Sequence, residues 1–291
     1  MIGRILAGRY RIERQLGQGA AGTVWLVRDT RQKGNVWALK ELDVSGLNPA
    51  EQNEAWRMFC RESDMLMQLE HRYLPKVVER FQEGGRHYLR MERVEGPTLE
   101  SILKSSAGPL PELQVLDWGQ QLCEVLHYLH SLDPPIVYRD LKPANVMVSL
   151  RGPVKLVDFG IARALNPNKP GDTTAYGTPG YAPMEQYVGR ASPRSDLYSL
   201  GVTLYELLTK QAPEQFNFRF NPPLQYNGDL SPQTGQLLME LLEKEPEKRP
   251  ATAEIVRQRL AAIARSPQPR LLQLARRWWR NLRESKWSPS S

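Results

Sequence analysis

Val137-Tyr138-Arg139-Asp140-Leu141-Lys142-Pro143-Ala144-Asn145 is followed, thirteen residues after Asn145, by Asp158-Phe159-Gly160. An Asp, a Lys, an Asn and a second Asp at these spacings suit one chemistry: the handling of a nucleoside triphosphate through magnesium while an incoming hydroxyl is deprotonated. Read alone, Asp140-Leu141-Lys142-Pro143 also fits an ordinary polar turn, with proline fixing φ and the aspartate capping a helix. The choice between the two readings rests on motifs elsewhere in the chain.

Working outward, the pattern from Tyr10 to about Glu92 predicts short strands over Arg9 to Leu16, Gly22 to Asp29, Val36 to Asp43, Val77 to Glu83 and His87 to Met91. Polar or glycine-bearing turns such as Gln32-Lys33-Gly34-Asn35 and Glu83-Gly84-Gly85 separate them. One helix interrupts the run: Pro49 to Leu69 carries Trp56, Phe59, Leu66 and Leu69 near the helical period. After Gly96-Pro97 the character becomes helical, over Leu113 to Leu132, Asp196 to Thr209 and Pro232 to Leu242, with short strand-like pieces around Val146 and Val154. The expected fold class is α+β, a small β-rich lobe with one helix joined by a hinge to a larger, mainly helical lobe.

Leu16-Gly17-Gln18-Gly19-Ala20-Ala21-Gly22-Thr23-Val24 lies between two of these strands. Glycines there let the backbone curl close to phosphates and present N–H donors. A dinucleotide-binding turn needs a helix immediately after its glycines, whereas Thr23-Val24-Trp25-Leu26-Val27 is β-type. Sixteen residues beyond Val24, Val36-Trp37-Ala38-Leu39-Lys40 ends an apolar strand on a lysine. A strand-end lysine commonly just reaches solvent. Beside the glycine loop, Lys40 reads better as a cation for the α and β phosphates, held by an anion for which Glu62 on the following helix is the candidate.

In this ordered set the chain resembles the eukaryotic-like protein kinase family, in its bacterial serine/threonine branch, over about residues 10 to 265. The resemblance implies a bilobal kinase fold with lobes 10–92 and 96–265, preceded by an extension over 1–9, and an active site in the cleft between the lobes. It implies that Met91 is the gatekeeper, that the backbone from Glu92 to Val94 receives adenine, and that Leu16, Gly17, Gly19, Gly22, Val24 and Ala38 close over the nucleotide with Met147 beneath. Asp140 would accept or orient the proton of the substrate hydroxyl and Lys142 neutralise charge on the transferred group, while Asn145 and Asp158 hold Mg2+. ATP is the implied phosphoryl donor. Lys142, two after the catalytic Asp, and Thr178 fit serine/threonine acceptors.

Two departures from the family pattern stand out. Tyr138 occupies a position that often carries His, whose implied role is to stack with Leu66, Val77 and Phe159. In Ala182-Pro183-Met184-Glu185, Met184 replaces a proline, and Glu185 is expected to pair with Arg249. Asp196 is expected to bond the catalytic-loop backbone or to cap a helix. Arg139 would meet a phosphate placed on Thr173 or Thr174, an autophosphorylation switch.

Composition narrows the alternatives. With 291 residues and 41% apolar content the chain can bury a full core. It has no apolar run of membrane-spanning length and no long apolar leader, so a cytoplasmic protein is expected. Cys60 and Cys123 read as buried free thiols, and His127 and His130 as surface or packing side chains rather than half a zinc site. Of the net charge of +7, residues 266–291 carry +5, so nucleic-acid binding is not expected. After a linker at 266–269, residues 270–291 place Leu271, Leu274, Ala275, Trp278 and Leu282 at helical spacing among arginines. That basic tail could contact an anionic membrane as a peripheral anchor, a partner protein or the kinase domain itself.

The expected function is transfer of the γ-phosphate of Mg-ATP to protein hydroxyls, with self-association for autophosphorylation. A nucleotide-binding pseudokinase scaffold is the alternative, and a small-molecule phosphotransferase the third reading. Against the scaffold stand Lys40, Glu62, Asp140, Asn145 and Asp158, all present. Against the third stands the Gly177 to Glu185 segment, suited to positioning a peptide.

Overall fold

A computed structural model describes residues 1–19, 22–32, 34–42, 48–150, 152–158, 163–164 and 177–266. The chain divides into two compact units, Met1–Gly96 with Met147–Gly160, and Pro97–Val146 with what is described of Ile161–Ser291. Phe159, Gly160, Thr173, Thr174 and the tail from residue 267 lie outside the described residues.

In the first unit, β1 (Ile5–Leu6), β2 (Tyr10–Gly19), β3 (Gly22–Asp29), β4 (Val36–Leu42), β5 (Val77–Glu83) and β6 (Arg86–Glu92) form an antiparallel sheet in the order β1-β2-β3-β4-β6-β5. Helix α1 spans Pro49–Gln68. Strand β1, inside the expected extension, pairs Ile5 with Arg11 and Leu6 with Tyr10.

Register gives the sheet two different faces, because partners directly across a ladder project to the same side. Leu6, Tyr10, Ile12, Val27, Leu39 and Tyr88 are buried together on one face, flanked by Trp25, Trp37 and Phe81. There the Arg90 guanidinium lies 4.3 Å from the Trp37 ring centroid and pairs with Glu79 at 2.8 Å. On the other face Val24 opposes Lys40 and Ala38 opposes Met91. Helix α1 packs against β5 on this second face, stacking Trp56 on His87 with centroids 3.8 Å apart, and Arg80 donates to the Cys60 carbonyl. The β3–β4 end of that face keeps Val24, Ala38 and Lys40.

Residues 147–160 are stitched to the rest of this unit by hydrogen bonds. Leu150 N donates to Glu95 O and Leu156 N to Tyr73 O, each at 2.8 Å. Lys155 Nζ donates to Leu74 O at 2.8 Å and to Glu92 Oε2 at 3.1 Å. The backbones come so close at Gly96, φ +145°, that a Cβ there would meet Val148 O at 1.9 Å.

In the second unit, α2 (Leu99–Ser105) starts on Thr98, which accepts from Ser101 N. Helix α3 (Glu112–His130) leads to β7 (Ile136–Val137). Strands β8 (Val146–Val148) and β9 (Val154–Leu156), which form a hairpin, belong to the first unit but for Val146, while β10 (Arg163–Ala164) pairs with β7 in the second. A single turn, α4 (Met184–Tyr187), precedes α5 (Pro193–Thr209), α6 (Pro232–Leu241) and α7 (Ala253–Arg265). Helix α5 is buried around nearly its whole circumference, which makes it the axis of this unit. Helix α7, absent from the sequence expectation, starts on a Thr252 cap and packs along α3.

Two outcomes follow. Gly96→Ala should destabilise the first unit by more than the ~1 kcal/mol of an ordinary glycine position, read as an earlier urea midpoint, because backbone rather than a movable side chain is in the way. Asp29, fully buried, accepts from Arg9 Nε and from the backbone N–H groups of Arg31 and Gln32. The Arg9 bond leads in lowering its carboxyl from 3.8 to about 2. A depressed acid stabilises the fold above its unfolded pKa, and that stabilisation goes as pH falls through the folded value. The melting-temperature gap between wild type and Asp29→Asn should therefore be full at neutral pH and close from about pH 4 toward pH 2.

Candidate active site

In the second unit the loop from Tyr138 to Asn145 is built around one buried carboxylate. Asp196 on α5 is fully buried, and accepts from Tyr138 N through Oδ2 and from Arg139 N through Oδ1, each at 2.8 Å. His130, at the end of α3, donates from Nε2 to the same Oδ2 at 2.8 Å. Asp196 thus bonds the loop backbone as expected, and the helix cap falls instead to Ser192 in a box with Ser195. Held this way, Arg139 takes φ +70°, a left-handed conformation that costs a non-glycine residue energy and persists where its surroundings enforce it.

Asp140 then projects into a ring of donors. Its Oδ1 accepts from Thr178 Oγ1 at 2.7 Å. Its Oδ2 lies 2.9 Å from Lys142 Nζ and 2.8 Å from Asn145 Nδ2, which also donates to the Asp140 carbonyl at 2.8 Å. Lys142 Nζ donates to Thr178 Oγ1 as well. Pro143–Asn145 forms one tight 3₁₀ turn, which returns Asn145 beneath Asp140.

Thr178 is carried by a platform anchored from below. Arg249 uses all five of its N–H donors: Nη1 and Nη2 to Glu185 at 2.5 and 3.2 Å, and the remainder to the carbonyls of Glu243, Arg194 and Lys244. The Tyr198 ring packs against that guanidinium, 4.9 Å from its centroid, and Ser195 Oγ donates to Glu185. The expected Glu185–Arg249 pair is therefore present, and exposed Met184 beside it leaves it intact. Nearby, the Tyr181 hydroxyl donates to Glu206, whose carboxyl burial raises above the ordinary range.

In the first unit, Gly17, Gly19 and Gly22 sit at the tip of the β2–β3 hairpin, with Leu16 exposed beside them. Val24, Ala38, Lys40 and Met91 share one sheet face, and Glu92, Arg93 and Val94 continue from β6. Met147 belongs to β8. Lys40 Nζ lies 2.6 Å from Asp158 Oδ1. Asp158, at φ +63°, turns its carboxylate onto the ammonium. Glu62 stands on α1. Tyr138 is fully buried, while its expected stacking partner Phe159 is outside the described residues.

Residues 10–261 match the model of the protein kinase domain. The chain belongs to the protein kinase family. The kinase chain is 36% identical over 285 residues to the serine/threonine-protein kinase pkn2 of Myxococcus xanthus, covering 89% of this chain and 33% of that one. It is 34% identical over 215 residues to the serine/threonine-protein kinase PrkC of Bacillus subtilis, covering 73% and 32%. Against PknB of Mycobacterium leprae the figures are 33% over 279 residues, with 89% and 43% covered. The chain thus spans less than half the length of these curated relatives. Among the described residues no helix is long and apolar enough to cross a membrane.

Sequence reasoning passed over three side chains that this kinase domain uses: His130, which supports Asp196; Lys155, which ties β9 to Glu92; and Gln186, bonded to the Arg139 carbonyl. The last two act on backbone or on distant strands and leave no motif. His130 was visible only as a histidine at a helix end.

Arg249→Met would leave the largely buried Glu185 carboxylate without its cation, and should cost about 3–5 kcal/mol in denaturant unfolding. A loss below ~1 kcal/mol would show that the platform stands without the pair.

Proposed function

We propose that the chain is a serine/threonine protein kinase, transferring the γ-phosphoryl group of ATP to hydroxyls of protein substrates, itself among them. The observation that carries this reading is the Asp140 carboxylate, held by Thr178, Lys142 and Asn145 within 2.9 Å. A carboxylate so oriented is suited to receive or direct the proton of an attacking hydroxyl. Lys142 Nζ, beside both Asp140 and Thr178, is placed to meet negative charge as it builds on the transferred group. Lys40, on the sheet face of Val24 and Ala38, would hold the α and β phosphates once drawn from Asp158.

The residues fit magnesium. Asn145 turns Nδ2 to Asp140, which directs its Oδ1 elsewhere, and Asp158 would offer carboxylate oxygens from the first unit. Hard oxygen donors of this kind suit Mg2+. When bound, magnesium would screen the phosphate charge that otherwise repels the incoming oxygen. The domain division of 10–92 and 96–265, the Arg139 switch with Thr173 or Thr174, and membrane or partner contact through 270–291 belong to the same proposal.

Transfer of label from radiolabelled ATP to a protein acceptor tests it. Asp140→Asn should lower kcat by ~10²–10⁴-fold, with ATP binding retained. Lys40→Met should weaken ATP binding as well. Equal label from wild type and Asp140→Asn would sink the assignment, and phosphosite mapping of the labelled chain would show whether Thr173 or Thr174 is used.

A further inference from the structure

Gln186 is a buried amide, 3% exposed, on the single turn α4, next to the anchored Glu185. Its Nε2 donates to the carbonyl of Arg139 at 2.8 Å. That carbonyl belongs to the peptide group joining Arg139 to Asp140. The preceding N–H, that of Arg139, is taken by Asp196. Arg139 is therefore gripped at both ends, its N–H by a carboxylate on α5 and its C=O by an amide on α4, which accounts for its left-handed φ.

The same side chain meets Gly177 on another side. At φ +139°, a Cβ on Gly177 would lie 2.5 Å from Gln186 Nε2 and 2.5 Å from Ala182 Cβ, so only a glycine backbone fits against the amide. The next residue is Thr178, whose hydroxyl donates to Asp140 Oδ1. One amide thus touches the residue before Asp140 and the residue before Thr178, and fixes the spacing between the carboxylate and its hydroxyl partner. Its foundation is stiff, because the adjacent Glu185 is clamped by Arg249 and Ser195.

We propose that Gln186 is a positioning residue for phosphoryl transfer, setting the orientation of Asp140 through the Arg139 carbonyl and its distance from Thr178 through Gly177. This rests on reading Asp140 as the group that handles the hydroxyl proton. Gln186 touches neither nucleotide nor acceptor on this account. Its loss acts on the chemical step, where small displacements of a reacting group cost up to ~10²-fold.

The test measures transfer to casein by the full chain, in wild-type and Asp140→Asn backgrounds, with and without Gln186→Met, which keeps the length and removes the donor. Gln186→Met should lower kcat ~10- to 100-fold, with the KM for ATP within about twofold. In the Asp140→Asn background, followed over hours, it should change the residual rate by less than about twofold, because residues acting as a unit are not additive. A residue that only holds the fold would lower both backgrounds by the same factor. Unchanged kcat in Gln186→Met, or equal losses in both backgrounds, overturns the inference and leaves the kinase reading standing. Full-rate transfer by Asp140→Asn would overturn that reading itself. If Gln186→Met melts well below wild type, Gln186→Glu, of the same shape with an oxygen facing the Arg139 carbonyl, carries the identical comparison.

Discussion

Everything near Asp140 depends on a buried negative charge. Asp196 has no access to water, and such a carboxylate is tolerated only when its lone pairs are filled. They are filled by two consecutive backbone N–H groups and one imidazole, drawn from the loop after β7 and the end of α3. The arrangement works in both directions. The loop N–H groups could not be buried without an acceptor, and the acceptor could not be buried without them. A helix interior thereby dictates the backbone of a loop nearly sixty residues earlier, and the side chains that follow inherit their directions from that backbone.

The first unit solves a different problem by means of strand register. A sheet whose one face holds an aromatic core gains its stability there, which releases the opposite face for other use. Helix α1 covers the β5–β6 part of the second face, so Val24, Ala38 and Lys40 remain on the part it leaves. A slip of one residue in β4 would exchange Lys40 for Leu39 and reverse the two faces. The Leu39 side chain, fully buried, therefore holds the lysine in place as surely as any contact of the lysine itself.

How much of this was legible in the chain depends on whether the information was local. The strands from β2 to β6 and the helices α1, α3, α5 and α6 follow from periodicity and turn residues, to within a few residues at their ends. Strand β1 is two residues long and α2 seven, too short for a period to show, whereas α7 does carry a helical spacing in Val256, Leu260 and Ile263. The α+β kinase fold is confirmed by the family match, and Asp140, Lys142, Asn145 and Thr178 do gather, because the motif that names them is nearly contiguous. The Lys40 pairing is another matter. The ammonium meets Asp158, 118 residues further on, a contact that no local pattern announces. Nor does proximity in sequence reveal that residues 147–160 hydrogen-bond to the carbonyls of Tyr73, Leu74 and Glu95, since backbone carbonyls have no side-chain signature.

Arg249 also imposes an order in time. It stands 64 residues after the glutamate it clamps, and follows every residue that gathers around Asp140. A chain leaving the ribosome from its N-terminus holds Asp140, Thr178 and Gln186 well before it holds the arginine beneath them. At ~5–20 residues per second, that interval lasts several seconds. During it Glu185 has no such cation to bind, and the turn that presents Gln186 lacks its anchor. The Glu185–Arg249 pair can therefore close only after the chain has been made as far as Arg249.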